Sequence, residues 1–428
     1  MRQFCTSRPD ILTELLSSGN PATNTPLISA RLGPYNIINV QEDFNYHAAL
    51  YASDKHAYRT PTSGGAGIGS GLNTLSDFPY IEFERIKWNN CNMNGGDCIT
   101  PKGFTFLRAR IAEGAWVDVY NLHTDAGSES GDIEARKKNF AQLAEYIQKW
   151  SPGMPVIVMG DGNARYTRPG DGETLRSFVS QTSTEDLWVE TVKGGVPPPS
   201  GTDALVCAYP FTSTASQAEI QGCEVVDKLM VLRTSPSLSF TSATYKNDHT
   251  SFVDSAGLPL SDHYPLLGTL TWKLSDTLRL GDVAGGPHGE VFNDAAAFQW
   301  GSSSPKLVEI TLRGANRVDG LTYLVGSSRI THGGSGGSPT TLHLSSTNER
   351  VVEVQLCQAK YSDSTRVFYA KLTTDLGRSI SVGKTTSDCV VSKAPSGGSV
   401  GKRWGLVGFW GRDGSEIDRA GPVWGAVY

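Results

Sequence analysis

Short apolar segments that end in acidic, amide or histidine residues recur along the first 265 residues, and they constrain the fold more than any other feature. Most of the polar motifs follow an apolar run, and a short run of this kind is typical of a buried strand. The sequence therefore predicts several buried strands that each end in polar side chains. In chain order the motifs are NVQEDFN (39–45), DCITPKGF (97–104), NLHTDAG (121–127), MGDGNA (159–164), VVDKLMV (225–231) and SDHYPL (261–266).

The chain divides into two parts of different character. Before residue 273, strand-like runs alternate with helical periodicity, most plainly over residues 133–150, and this mixture predicts an α/β sandwich. Beyond residues 273–281 the helical periodicity disappears. Gly-rich turns there separate short β runs, which predicts an all-β prism, sandwich or barrel. The 428 residues fit two or three domains, and we place them at 1–272, with a linker at 273–280, and at 281–428.

Cysteine spacing indicates an oxidising compartment. Six of the seven Cys form three pairs that are each confined to one segment, which is typical of local disulfides in a secreted protein. Six free thiols of a cytosolic enzyme are the alternative, and Cys5 is left over in either case. The pairs are Cys91 with Cys98, Cys207 with Cys223, and Cys357 with Cys389.

Charge and hydropathy argue against a tight non-specific nucleic-acid binder and against a membrane-spanning protein. The net charge is −5 and no basic run stands out, so the chain has no electrostatic footprint for tight non-specific binding of nucleic acid. No apolar run is long enough to cross a membrane. The segment MRQFCTSRPDILTELL (1–16) lacks the apolar core of a signal peptide. This conflicts with secretion unless the chain begins downstream of its natural start.

The polar strand ends offer the groups that phosphodiester hydrolysis needs: ligands for a divalent cation, a base that activates water, and a group that stabilises the leaving oxygen. Glu42 is the best single metal ligand; Mg²⁺ is the expected ion, and Mn²⁺ and Ca²⁺ are the alternatives. Asp227 lies inside an apolar strand and needs a partner, which is either a histidine or Lys228. An Asp-Gly-Asn turn without a metal is the simpler interpretation of residues 161–163. The other candidates are His123, Asp161, Asn163, Asp262 and His263.

With these motifs, about residues 30–272 resemble the endonuclease/exonuclease/phosphatase superfamily, which shares the four-layered α/β sandwich of DNase I. The resemblance implies that His263 is the general base and that Asp227 orients it. It further implies that His123 binds or protonates the scissile phosphate. The implied metal ligands are Glu42 and Asp262, and the implied GDxN pair is Asp161 and Asn163.

Two segments are similar to the sphingomyelinase-type members of that superfamily. Residues 90–111 resemble their Cys/Lys-Gly-Phe segment, and LHTDAG, with Arg136 on the following helix, resembles their THxQA motif. Asp125 replaces the Gln of that motif, which bears on head-group recognition. Residues 1–16 do not resemble the family's first strand, which carries an Asn of the site. We therefore expect the sheet to lack a central strand and residues 1–16 to be a non-native leader.

The last third resembles the jacalin-like lectins, which are β-prisms. It carries GGPHGEVFND (285–294), GGSGG (333–337) and GFWGRDGSEIDRAG (408–421). Lectins of this family bind sugar through a GxxxD loop near the C-terminus and a Gly-rich loop near the N-terminus. A plain hairpin turn with Asp418 near Arg419 is the alternative, and Trp410 and Trp424 either flank a sugar or, as we favour, fill the core. The implied carbohydrate site is Gly414, Ser415, Glu416, Ile417 and Asp418, with Gly285 or Gly286 opposite.

These observations predict a secreted Mg²⁺-dependent phosphodiesterase that a carbohydrate-binding domain docks on glycosylated surfaces. Lipid head groups, nucleotides, DNA and phosphomonoesters are all open as substrates. The acidic balance and the sphingomyelinase-like segments favour a lipid or a small phosphodiester over DNA. The rival hypothesis is a lectin whose N-terminal domain has lost turnover. The absent first strand favours this rival, and the later motifs oppose it.

Overall fold

The structure, a computed structural model, describes residues 2–6, 20–65, 68–93, 97–297, 306–345, 348–396 and 403–427. The strands of the N-terminal part are β1 (Arg2–Thr6), β2 (Ile37–Val40), β3 (Tyr58–Arg59), β4 (Asn73–Ser76), β5 (Tyr80–Lys87), β6 (Gly103–Ala112), β7 (Ala115–His123), β8 (Val156–Asp161), β9 (Glu185–Asp186), β10 (Asp227–Leu232), β11 (Leu238–Asn247) and β12 (Leu266–Leu274). Its helices are α1 (Pro21–Ser29), α2 (His47–Tyr51), α3 (Ser130–Trp150), α4 (Asp171–Thr182), α5 (Leu187–Val192) and α6 (Gln217–Gly222).

These strands form two six-stranded sheets that share one apolar core. Sheet A has the order β11-β12-β1-β2-β4-β3, and sheet B has the order β5-β6-β7-β8-β10-β9. Ile37 and Leu270 of sheet A belong to the same buried cluster as Val119 and Ile157 of sheet B. Apolar clusters that include residues of α3 and α4 on sheet B, and of α1 and α2 on sheet A, complete the layers. The predicted four-layered α/β sandwich is thus confirmed.

Local sequence signals explain the best-predicted elements. In α3, Phe140, Leu143, Ala144 and Ile147 are buried and recur at intervals of three or four residues, which places them on one helix face. The Asp132 carboxylate accepts a hydrogen bond from the Glu129 amide at 2.9 Å and caps the helix start. The predicted helix therefore forms and begins slightly earlier than the periodicity indicated. Residues 103–123 form the expected pair of antiparallel strands, β6 and β7.

The expectation that the sheet lacks a central strand is wrong. β1 lies inside sheet A, parallel to β2 and antiparallel to β12. Its sequence, RQFCT, has no alternation of apolar and polar residues, so the strand depends on pairing along both edges rather than on a local pattern. β1 contains no Asn, so it does not supply the Asn that the resemblance implies for this strand.

The C-terminal part is all-β apart from a single short helix in the described residues, α7 (Asp294–Ala297). Its strands are β13 (Leu278–Leu280), β14 (Ala284–Gly285), β15 (Glu290–Asn293), β16 (Leu307–Gly314), β17 (Val318–Val325), β18 (Ser328–Gly333), β19 (Ser338–His343), β20 (Val351–Tyr361), β21 (Ser364–Thr374), β22 (Ser379–Gly383), β23 (Asp388–Lys393), β24 (Trp404–Asp413) and β25 (Ile417–Ala426). They form three sheets around one apolar core. The first sheet has the order β13-β25-β24-β15, and β14 also pairs with β25; the second has the order β18-β17-β16-β19 and the third β22-β21-β20-β23. This is the predicted β-prism.

The two parts meet at an interface that combines apolar rings and buried charge. Trp116 of β7 and Trp410 of β24 pack edge to face with their centroids 5.2 Å apart. Glu82 of β5 is fully buried and binds Arg412 at 3.0 Å and also Arg419, both of the prism. Because Trp116 lies seven residues before His123 on β7, the interface is about 23 Å from that end of the strand.

All three predicted Cys pairs are disulfide-bonded: Cys91–Cys98, Cys207–Cys223 and Cys357–Cys389. No helix within the described residues is long and apolar enough to span a bilayer.

Candidate functional site

Four polar side chains meet at one end of sheet B. β8 lies between β7 and β10, and the register sets Asp161 beside both His123 and Asp227. The Nε2 atom of His123 lies 3.5 Å from Oδ2 of Asp161. The Nε2 atom of His263, in the loop before β12, lies 4.0 Å from the same oxygen. Sheet topology therefore gathers residues that are up to 140 positions apart in sequence (263 − 123).

His263 and Asp227 form a hydrogen-bonded pair. Nδ1 of His263 lies 2.8 Å from Oδ2 of Asp227, whose side chain is only 1% exposed. Burial alone would lower the pKa of His263, but the Asp227 and Asp161 carboxylates outweigh it and raise this pKa well above its ordinary value. Lys228, the alternative partner of Asp227, instead donates to the Val225 carbonyl at 2.7 Å.

Glu42 joins the cluster from sheet A, because it follows the end of β2. Its Oε1 atom lies 3.8 Å from Nε2 of His123. Burial raises the pKa of Glu42 well above its usual range, Lys102 opposes this rise, and the charges of Asp262 and Asp161 add to it. A cation among these carboxylates would relieve their repulsion.

The donor set fits a hard divalent cation. Oxygen atoms from Glu42, Asp161 and Asp262 are the ligand type that Mg²⁺ prefers, and one to three carboxylates suffice because Mg²⁺ retains several waters. Ligand atoms of Asp161, Asp227 and His263 also lie within 4.8 Å of one another. Asp262 is exposed, so it lies at the open side of the cluster.

Backbone conformation marks the same place. Glu42 has φ 58° and Asn163 has φ 44°, a left-handed region that costs free energy for residues other than glycine. The Asn163 amide donates to Oδ1 of Asp161 at 2.8 Å, and its side-chain Nδ2 donates to Oδ2 at 3.2 Å. Asn163 therefore holds the Asp161 carboxylate in one orientation. Position 160, directly before Asp161, requires glycine, because a Cβ there would lie 2.2 Å from the Leu122 carbonyl oxygen.

Lys102 adds a positive charge to the site, and its role was not predicted from the sequence. Its Nζ atom pairs with Asp97 and lies 3.4 Å from the Thr124 carbonyl oxygen. Its charge acts on Glu42 and Asp161. Burial, helped by the charge of Lys102, lowers the pKa of His123 to about 3. The sequence feature that could have indicated this role is a lysine directly before a buried strand, within DCITPKGF (97–104) and close to Cys98.

Asp125 and Arg136 support the loop after β7. Asp125 is buried, accepts a hydrogen bond from the Asn92 amide at 2.7 Å, and burial raises its pKa to about 6. Arg136 binds Asp171 at 2.9 Å and donates to the carbonyl of Asp125 at 3.1 Å. Both side chains therefore shape the scaffold that positions His123.

An open pocket lies beside the cluster. Asp227, Asp262 and His263 line it, together with the rings of Tyr209 and Tyr264. Tyr209 is 48% exposed, and its hydroxyl donates to the Ser261 carbonyl at 2.5 Å. The wall next to the predicted general base is therefore aromatic and acidic.

The structure also brings the two C-terminal glycine loops together. The Gly286 amide donates to the Asp418 carbonyl at 2.9 Å, and the Gly414 amide donates to the Glu416 carbonyl at 3.0 Å. Gly414 and Ser415 are exposed, whereas Ile417 and Asp418 are buried. Trp410 and Trp424 are each 1% exposed and therefore fill the core.

Comparisons with known proteins match both parts. Residues 22–192 match the model of Endonuclease/Exonuclease/phosphatase family 2, and residues 282–423 match that of the Jacalin-like lectin domain. A sphingomyelinase of Mycobacterium tuberculosis (strain ATCC 25618 / H37Rv) is 36% identical over 248 residues, which are 56% of this chain and 46% of that protein. The chain thus spans about half the length of the curated relatives that it matches.

Two solved structures are similar at low identity. Sphingomyelinase C from Streptomyces griseocarneus is 17% identical with a TM-score of 0.44, over 63% of this chain and 98% of that one. A mannose-binding jacalin-related lectin from Ananas comosus is 19% identical with a TM-score of 0.28, over 36% and 99%. On the matches to the family models, the chain joins a domain of the endonuclease/exonuclease/phosphatase family to a C-terminal jacalin-like lectin domain.

Proposed function

We propose that this protein is an extracellular, Mg²⁺-dependent phosphodiesterase. The observation that carries the proposal is the His263–Asp227 pair, 2.8 Å between Nδ1 and Oδ2, which faces Asp161 within an acidic cluster. A histidine backed by a buried carboxylate is the arrangement of a general base. The 36% identity to a mycobacterial sphingomyelinase supports phosphoester chemistry.

The roles of the residues follow from their positions. Glu42 and Asp262, with Asp161 beside them, would hold the cation, which when bound polarises the phosphoryl oxygen and orients the substrate. Asp227 holds His263 through Nδ1, and the form of His263 that is unprotonated at Nε2 takes the proton from the attacking water. The buried, neutral His123 contacts a phosphoryl oxygen, and Asn163 keeps Asp161 in place. Lys102 adds a positive charge for the developing phosphoryl charge.

We further propose that the substrate is a small phosphodiester of the lipid head-group type. The pocket beside His263 is lined by the rings of Tyr209 and Tyr264, and Tyr209 is 48% exposed. An exposed aromatic ring favours a cationic group on the substrate. A polyanionic duplex finds no comparable complement in an acidic chain of net charge −5.

The jacalin-like domain is the part that we propose contacts glycans, at Gly286 and the loop 414–418. The three disulfides support an extracellular location, because such bonds persist in oxidising compartments. Residue boundaries of 1–272 and 281–428 remain our proposal for the two domains.

The first test is hydrolysis of bis-p-nitrophenyl phosphate with Mg²⁺ and with EDTA. His263→Ala should lower kcat roughly 100- to 10,000-fold, because it removes the base. His343→Ala is the matched control, since this histidine is exposed in the prism and pairs only with Glu309 among the contacts described. Full activity of the His263 variant, or activity that EDTA leaves unchanged, would contradict the proposal.

A further inference from the structure

The carboxylates of the proposed sugar-binding loop are both held by arginines from neighbouring sheets. Nη1 of Arg366, on β21, pairs with Oδ1 of Asp418. Nε of the same arginine lies 3.3 Å from Oε1 of Glu416, and Arg317 pairs with the other oxygen of Glu416. Two arginines therefore face the two carboxylates of the loop.

Asp418 is closed off by these contacts. Its side chain is 5% exposed, whereas that of Arg366 is 19% exposed, so the arginine is the partner nearer to solvent. On another side of the carboxylate, a Cβ added to Gly289 would lie 2.4 Å from Oδ2 of Asp418. Backbone therefore packs against one carboxylate oxygen, and a guanidinium occupies the other.

A neutral sugar cannot readily replace this arginine. Hydroxyl groups offer hydrogen bonds but no charge, and removing the cation from a buried carboxylate leaves an uncompensated charge. A sugar that used Asp418 as acceptor would first have to displace Arg366. An anionic sugar that drew Arg366 away would leave the same carboxylate unpaired.

We propose that Arg366 is the specificity-determining residue of the lectin loop, and that it withholds Asp418 from neutral sugars. The inference rests on the proposed assignment of the loop 414–418 as the carbohydrate site. It predicts weak binding of neutral hexoses by the natural chain and a gain when the arginine loses its charge.

The test compares full-length variants by titration calorimetry with α-methyl mannoside and α-methyl galactoside. Arg366→Met keeps much of the side-chain volume without the charge, and it should bind one of these sugars at least tenfold more tightly than the natural chain. Arg366→Met combined with Asp418→Ala should lose this gain. Arg350→Ala is the matched control, because Arg350 is also 19% exposed and pairs with Asp375 in the same domain. Near-UV circular dichroism and urea unfolding followed by tryptophan fluorescence report that the prism of each variant is folded, since Trp404, Trp410 and Trp424 are buried in it.

Two results would overturn the proposal. They differ in whether the loop 414–418 remains the sugar-binding site. Equal sugar binding by the natural chain and Arg366→Met, abolished in both by Asp418→Ala, would keep the loop as the site and remove the role of Arg366. No binding by any folded variant would remove both. If Arg366→Met does not fold, Arg366→Gln serves as the second uncharged variant and is judged by the same outcomes.

Discussion

Glu82→Gln should lower the free energy of unfolding, because it disrupts the interface between the two domains. Glu82 belongs to the N-terminal sandwich, is fully buried, and binds Arg412 at 3.0 Å and also Arg419 of the prism. Its backbone, at φ 60°, lies in a β-bulge of β5 that turns the side chain toward these arginines. Glutamine keeps the shape and removes the charge, so two buried guanidinium groups lose their shared counter-ion.

The pKa of Glu82 and the usual cost of breaking a buried ion pair give similar values for the loss of unfolding free energy. Burial would raise the pKa of Glu82, but Arg108, Arg419 and Arg412 outweigh it and lower the pKa from 4.5 to about 2. This difference corresponds to about 3 kcal/mol in favour of the paired carboxylate. Removal of one partner from a buried ion pair costs about 3–5 kcal/mol. We therefore expect Glu82→Gln to lower the free energy of unfolding by about 3 kcal/mol at pH 7.

The assay is urea unfolding followed by tryptophan fluorescence. Glu290→Gln is the control, because Glu290 also crosses the interface, to Lys149 at 2.9 Å, but is 70% exposed and should cost less than about 1 kcal/mol. The stabilisation by Glu82 is present above pH 4.5 and is lost as the pH falls toward 2, because the folded pKa is the lower one. Equal effects of the two substitutions would refute the reasoning.

Two further outcomes can be measured directly. Lys102→Ala should lower kcat/KM for bis-p-nitrophenyl phosphate roughly 100- to 1,000-fold, because it removes a positive charge at the phosphoryl site, whereas the exposed Lys137→Ala should not; equal activities would exclude this role. His332 is half-buried; burial lowers its pKa, but Asp294 and Asp413 outweigh this and raise the pKa to about 9. Its stabilisation, about 3 kcal/mol at most, is present below pH 6.5 and lost as the pH rises through 9, so His332→Gln should flatten that part of the stability profile. Parallel profiles would contradict this assignment.

Local pattern was sufficient for much of the fold. Residues 133–150 show the helical interval that buries one face, and residues 155–159 show the apolar run of a buried strand. Each of these signals lies within one element, so the sequence alone predicts it. The same holds for the disulfides, because each pair brackets a segment of its own. Asp161 at the end of an apolar run, and His263 in a polar motif directly before another, were likewise predicted to belong to a site, although their catalytic roles remain predictions.

Contacts between distant segments could not be predicted in this way. β1 has no strand pattern of its own and is defined by β2 and β12 on its two edges. Lys102 acquires a role only because the sheet brings it beside Glu42 and Asp161.

The sequence by itself determined which chemical groups are present and which short segments are helix or strand, because spacing and hydrophobicity act over a few residues. Only the tertiary structure decided which charges meet. Asp227 faces His263 rather than Lys228, and Asp418 faces Arg366 rather than its neighbour Arg419. These pairings arise from strand register and sheet packing, which join residues that are far apart in the chain.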